Sequence, residues 1–182
     1  MKIGLDLDDT ITDHTQNVVK LAALYGVSAS SMEHLDSLFL ESKLDTTLYK
    51  NLKQQLYGSM SSDALPVPGS RDVINQLTQD NVPLFVISRR EKSDYAREWL
   101  SKHIPVIESK NIYFVKEDRE KGVLCNALGI TLFLDNKKRV LEEMPPSVQS
   151  VLFDRFGLHK SAPFKNVSSW EEFYALYREL AA

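Results

Sequence analysis

Leu5-Asp6-Leu7-Asp8-Asp9-Thr10 closes a short apolar run near the N-terminus, and its residue types could do chemistry. Ile3, Leu5 and Leu7 alternate as a strand does. Asp6 and Asp8 follow at a spacing of two, with Thr10 two further on. Carboxylates crowded at a strand end raise each other's pKa, so the cluster is poor for folding alone. A hard cation removes that repulsion. Mg²⁺ takes oxygen ligands and typically bridges one or two carboxylates to a substrate phosphate. One carboxylate of the pair can then attack phosphorus and form an aspartyl-phosphate.

The elements that must position this cluster can be followed along the chain. Apolar runs with strand character recur at 2–7, 83–88, 112–115, 131–135 and 148–153. Helical patterns separate them. Ser70 to Gln79 places Val73, Ile74 and Leu77 on one face, and Ser93 to His103 carries Tyr95, Ala96, Trp99 and Leu100 behind Ser93 as an expected N-cap. Arg119 to Leu128 is ended by Gly129, and Asn136 to Met144 stops at Pro145-Pro146. Ser168 to Leu180 is a terminal helix, with Ser168 and Glu171 spaced as a capping box. Strands alternating with helices imply an α/β fold, a Rossmann-like three-layer parallel sheet with helices on both faces. Ligands of such sheets bind beyond the carboxyl ends of the strands, where Asp6, Ser88 and Asp135 all fall.

The alternation breaks between residues 14 and 65. Val18, Val19, Leu21 and Ala22, then Leu35, Leu38 and Phe39, then Leu48, Leu52 and Leu56 recur at helical spacing, with no convincing strand, until Pro66-Val67-Pro68-Gly69. The expected division is an α/β core of 1–13 and 66–182 around a small helical insertion of 14–65.

Composition narrows the function classes. The chain has 182 residues, enough for one domain with a sizeable core. Its apolar content of 43% and charged content of 26% are ordinary for a soluble protein. A net charge of −3 suggests no polyanion-binding surface, so no stable nucleic-acid complex is expected. The single Cys125 excludes an internal disulfide and is expected to be buried and unreactive. No apolar run approaches membrane-spanning length, and the N-terminus runs directly into the acidic strand, so a cytoplasmic protein without a signal peptide is expected.

Ile3 to Thr12 resembles the first motif of the haloacid-dehalogenase-like (HAD) phosphatases, DxDxT after a hydrophobic strand. The other three family motifs follow in order. Pro83-Leu84-Phe85-Val86-Ile87-Ser88 resembles the second, a strand ending in Ser or Thr. Lys121, near a helix start, resembles the third. Thr131-Leu132-Phe133-Leu134-Asp135-Asn136 resembles the fourth, a strand ending in an acidic pair, with Asn136 standing where many members have a second Asp. The resemblance covers residues 1 to about 155, and the helical insertion occupies the position of the family's C1 cap.

The resemblance implies roles. Asp6 is the nucleophile, and Asp8 is the general acid and base. Ser88 holds a phosphoryl oxygen. Lys121 neutralises the phosphate and Asp6, with Lys116 as its competitor. Asp6, Asp8 (through its main-chain carbonyl), Asp135 and Asn136 surround Mg²⁺, with an amide oxygen at Asn136 removing one negative charge. Thr10 orders the loop and sits near substrate. Arg89 or Arg90 contacts the phosphate, Arg89 being the chosen candidate, since arginine suits phosphate geometry. Asp9 is read as a loop residue, His14 as a surface residue, and Lys137 and Lys138 as solvated. The four histidines show no metal spacing, and the two tryptophans are read as packing residues. Phe39, Tyr49 and Tyr57 are aromatics that could stack on a base, or pack within the insertion.

Together these features imply a Mg²⁺-dependent phosphomonoesterase acting on a small phosphorylated substrate, as a monomer or homodimer. The small cap, the Ser88-Arg89-Arg90 sequence and the Trp170-Glu171-Glu172-Phe173 ending are similar to small 5′(3′)-deoxyribonucleotidase-like members. A sugar-phosphate phosphatase, a phosphotransferase, or a phosphate-binding regulatory protein that lost turnover through Asn136 are the alternatives.

Overall fold

A computed structural model describes residues 1–90, 93–159 and 163–182. In chain order the strands are β1 (Ile3–Leu5), β2 (Thr12–Asp13), β3 (Leu65–Pro66), β4 (Leu84–Arg89), β5 (Ile112–Val115), β6 (Leu132–Asp135), β7 (Gln149–Phe153) and β8 (Lys165–Val167). The α-helices are α1 (Thr15–Leu24), α2 (Met32–Leu40), α3 (Thr46–Leu56), α4 (Ser70–Gln79), α5 (Asp94–His103), α6 (Arg119–Leu128), α7 (Lys138–Glu142) and α8 (Trp170–Ala181).

Six strands form one parallel sheet in the order β5-β4-β1-β6-β7-β8. β1 lies at its centre, and the chain builds outward to one side and then to the other. The strand order therefore reverses at β1, and a crevice opens between the carboxyl ends of β1 and its neighbours β4 and β6. Alternate side chains of each strand face opposite layers. Leu84 and Val86 pack with α4, α5 and α8 on one face, while Phe85 and Ile87 pack with Cys125 of α6 and Leu141 of α7 on the other. The α/β three-layer expectation holds. At Gly4 a Cβ would stand 2.5 Å from the Phe133 ring, so glycine is what lets β1 and β6 carry a bulky ring between them. Gly129, at φ +66°, ends α6 in the left-handed conformation that its sequence position predicts.

The helices α1 to α3 form their own apolar cluster, built on Val18, Leu21, Met32, Leu35, Leu52 and Leu56. Val19, counted in the helical pattern, is instead half exposed. The chain enters and leaves this helical layer through β2 and β3, a short antiparallel ribbon with Thr12 opposite Pro66. No sequence pattern announced the ribbon, because two-residue strands have no periodicity. β8 also escaped the sequence reading, since only Val167 of its residues is buried. Two corrections concern helix starts. The α8 cap is Ser169, whose hydroxyl accepts from Glu172 N, while Glu172 reaches back to Ser168 N; the capping box lies one residue later than the Ser168–Glu171 spacing suggested. Ser93 occupies the N-cap position of α5 without a side-chain cap bond.

Candidate active site

β1 ends at Asp6, whose backbone N–H still donates to Leu134 O of β6 at 2.9 Å. The chain then curls. Ile11 N and Thr12 N both donate to Leu7 O at 2.9 Å, and Thr12 Oγ1 donates to the same carbonyl at 3.0 Å. Asp9 takes the turn at φ +60°, a left-handed conformation that Asp tolerates better than most residues. Its Oδ1 accepts from His14 N at 3.2 Å. Trp170, from the far end of the chain, donates Nε1–H to Thr10 O at 2.9 Å and pins the curl from below. Thr10 itself is fully buried, with a hydroxyl that has no partner among the described residues, so the side chain that orders the loop is Thr12.

The curl brings the first two carboxylates to the floor of a cavity of about 700 Å³. Lys121, in the first turn of α6, places Nζ 2.6 Å from Asp6 Oδ1 and 2.7 Å from Asp135 Oδ2. Lys116 lies on the exposed edge of the same cavity, so the lysine between the carboxylates is Lys121. Asp135 Oδ1 accepts from Lys137 N at 2.7 Å. Asp8 points the other way: its Oδ2 accepts from Arg90 Nε at 3.0 Å and Ser88 Oγ at 3.3 Å, and its Oδ1 meets Arg90 Nη2 and His14 Nε2, the latter at 2.9 Å.

These surroundings push the two carboxyls apart. Burial raises Asp6 to about 8, with Asp135 and Asp8 adding to the shift and Lys121 opposing it. Burial would raise Asp8 too, but the Arg90 guanidinium and the His14 ring overcome it and hold that carboxyl well below the ordinary carboxylate range. Lys121 is raised despite its burial, because Asp135 and Asp6 both favour its charge.

Several expected surface residues are structural parts of the site. His14 is fully buried, not exposed; Tyr57 packs edge-on against its ring at 5.2 Å. Arg90 is buried and also donates Nη1 to Tyr57 O at 3.0 Å and Ser61 Oγ at 2.8 Å, tying the helical layer to the sheet. Arg89 is exposed on the cavity wall and pairs with Asp118. Lys137 is not solvated: its Nζ pairs with Asp36 of α2 at 2.8 Å. Asp36 in turn accepts from Tyr49 Oη at 2.5 Å. Lys138 matches its solvated expectation, pairing with Glu142 on the surface. No periodicity could have found these pairings, because they join residues far apart in the chain. Cys125 is buried, as expected, and burial pushes its thiol up to about 12. Trp99 is buried against the end of the helical layer, with Nε1 2.7 Å from Ala64 O.

Asn136 is buried and lines the cavity. Its Nδ2 donates to Glu33 Oε1 of α2 at 3.1 Å, while its Oδ1 has no partner among the described residues. Among those residues no three His, Cys, Asp or Glu side chains group as a ready metal site. Asp6 and Asp135 each give an oxygen to Lys121, whereas the amide oxygen of Asn136, on the same cavity as Asp6, is left without a partner among the described residues. The hard, oxygen-only character of these donors suits Mg²⁺. Among the described residues, no helix is long and apolar enough to cross a membrane.

Comparison with known proteins agrees with this geometry. The sequence profile described as 5′ nucleotidase, deoxy (Pyrimidine), cytosolic type C protein matches residues 1–182. A Bacillus cereus protein named "Putative nucleotidase" is 24% identical over 184 residues, covering 94% of this chain and 95% of its own. The crystal structure of a "predicted phosphatase" from Clostridium acetobutylicum superposes with a TM-score of 0.68 at 11% identity, covering 98% of each chain. The "putative HAD-hydrolase YfnB" from Bacillus subtilis, solved bound to magnesium, does so with a TM-score of 0.65 at 13% identity, covering 97% of this chain and 98% of its own. With a parallel sheet, an acidic curl after its central strand and a lysine between two strand-end carboxylates, the chain belongs to the cytosolic type C 5′-nucleotidase family of HAD-like hydrolases that cleave phosphoric monoesters.

Proposed function

We propose that the enzyme is a Mg²⁺-dependent phosphomonoesterase that works through an aspartyl-phosphate on Asp6, with nucleoside monophosphates as its substrate class. The observation that carries this reading is the Lys121 ammonium, 2.6 Å from Asp6 and 2.7 Å from Asp135 at the carboxyl ends of adjacent strands.

Asp6, Asp135, Asn136 and the main-chain carbonyl of Asp8 would hold the metal. When bound, Mg²⁺ supplies positive charge to the phosphoryl oxygens and to Asp6. Lys121 and Ser88 bind the remaining phosphoryl oxygens and orient the phosphorus toward Asp6. A carboxylate oxygen of Asp6 bonds to phosphorus while the bond from phosphorus to the alcohol oxygen breaks. Asp8 gives the departing oxygen its proton. His14 Nε2, 2.9 Å from Asp8 Oδ1, and Arg90 hold the Asp8 carboxyl in place. Asp8 then takes a proton from water, whose oxygen attacks the phosphorylated Asp6 and releases inorganic phosphate. Catalysis on this scheme is mainly positioning and charge neutralisation.

Residues 14–65 act as a cap. Residues 59–64 pack against α5, where Trp99 donates to Ala64 O, and over the cavity the ties to the core are the polar contacts at Arg90, Asn136 and Lys137, a pattern that suits a hinge at one end and opening at the other. The test is phosphate release from an aryl phosphate and from deoxyribonucleoside and ribonucleoside monophosphates, with and without Mg²⁺. Mg²⁺-dependent release is expected, and Asp6→Asn should abolish it while leaving the melting transition intact. Turnover by that variant would remove Asp6 from the mechanism; no release by the native protein would remove the reading itself.

A further inference from the structure

The cavity floor is electrically closed, whereas its mouth is not. On the floor Asp6 and Asp135 share Lys121, and Asp8 is met by Arg90 and His14. At the mouth one carboxylate oxygen, Asp118 Oδ2, serves both Arg89 at 3.2 Å and Arg139 at 2.8 Å. Lys50, Lys53 and Lys116 line the same cavity, and no carboxylate pairs with any of them among the described residues. The chain as a whole carries −3, so this excess is local and not general basicity.

Lys53 is the most telling of these cations. Its Nζ lies 5.1 Å from the centre of the Tyr49 ring, 5.8 Å from that of Tyr57, and 3.2 Å from Tyr49 Oη. Burial holds this amine below its ordinary range; Asp36 offsets part of the effect, and Lys137, Arg89 and Arg139 add to it. A desolvated cation facing other cations is stabilised by any anion placed among them. The same geometry weighs against a base-stacking platform. Tyr49 is stacked on Phe39 at 4.1 Å and carries Lys53 over its ring, and Tyr57 meets Lys53, Arg90 and His14. A cavity of about 700 Å³ has room for a ligand with two charged ends.

We propose that this mouth is a second anion subsite: the substrate is a small organic phosphate bearing a second anionic group, a phosphate or a carboxylate, held by Lys53 and Lys50 of α3 together with Arg89, Lys116 and Arg139 of the core. The proposal takes from the phosphomonoesterase reading only the seat of the reacting phosphate, and revises its substrate class from nucleoside monophosphates to organic phosphates with a second anionic group. Charge-assisted contacts of this kind change affinity by about tenfold or more.

The test compares phosphate release, with Mg²⁺, from p-nitrophenyl phosphate, adenosine 5′-monophosphate, adenosine 3′,5′-bisphosphate and 3-phosphoglycerate. At least one doubly anionic substrate should exceed the monophosphate in kcat/KM by about tenfold, the bisphosphate if the second group is a phosphate and 3-phosphoglycerate if it is a carboxylate. Lys53→Met should bring that ratio toward one, and Lys53→Arg should restore it. A lysine that merely packs on Tyr49 and Tyr57 would lower all substrates alike, which overturns the subsite. Equal kcat/KM for all three phosphorylated metabolites also overturns it, and leaves the phosphatase standing. If even p-nitrophenyl phosphate is untouched, the phosphatase reading falls, and calorimetric titration with the bisphosphate, 3-phosphoglycerate and the monophosphate decides the subsite. Tighter binding of a doubly anionic probe, lost in Lys53→Met, upholds it; equal or absent binding overturns it.

Discussion

The floor and the mouth of the cavity treat charge in opposite ways. On the floor Asp6 and Asp135 are buried, Asp8 is partly so, and each is already answered by a cation: Lys121 for Asp6 and Asp135, Arg90 for Asp8. At the mouth the cations are exposed or half-buried, and Asp118 must serve two of them. The difference teaches that the two regions are stabilised by different means. Floor charges hold one another in place before any ligand arrives, so removing one leaves another stranded in a poorly solvated site. Apart from the half-buried Lys53, mouth charges are exposed and cost the fold little, which leaves them free to answer a ligand.

Substitutions can break or sharpen that contrast. Lys121→Met should do the most damage. It strands Asp6 beside Asp135, and is expected to cost about 3–5 kcal/mol of stability by urea denaturation, together with at least about a thousandfold in turnover. If Lys121→Met melts like the native protein, the floor is not the pre-paired network described here. Arg90→Gln comes next. Asp8 keeps His14 and Ser88, so a loss of about 2–3 kcal/mol is expected, with turnover of an aryl phosphate falling about a hundredfold. The mouth supplies the smallest effect. Lys116→Gln removes an exposed charge without a carboxylate partner among the described residues, and its stability should stay within about 0.5 kcal/mol of native. A larger loss there would erase the distinction between the two regions.

Much of the floor was legible in the sequence because its residues sit where local rules put them. Asp6, Ser88 and Asp135 end apolar runs, and a parallel sheet carries such ends to one side. Lys121 was separable from Lys116 because it opens a helix leading back to β6. Arg90 and His14 were not legible. A buried arginine differs from a solvated one only through what lies against it, and Asp8 and Arg90 are 82 residues apart. The same holds for Lys137 and Asp36, 101 residues apart. The helical insertion showed its apolar spacing clearly, yet its polar ties to Arg90, Asn136 and Lys137 are single contacts that leave no periodic trace. β8 and the β2–β3 ribbon are too short or too exposed for alternation to mark them.

The bond from Trp170 to the carbonyl of Thr10 spans 160 residues. It makes the order of synthesis matter. A growing chain carries Asp6, Asp8, Ser88, Lys121 and Asp135 well before it carries Trp170, so a nascent molecule can hold all five of these side chains while its acidic curl lacks an anchor. The curl is completed only when α8 docks beneath it.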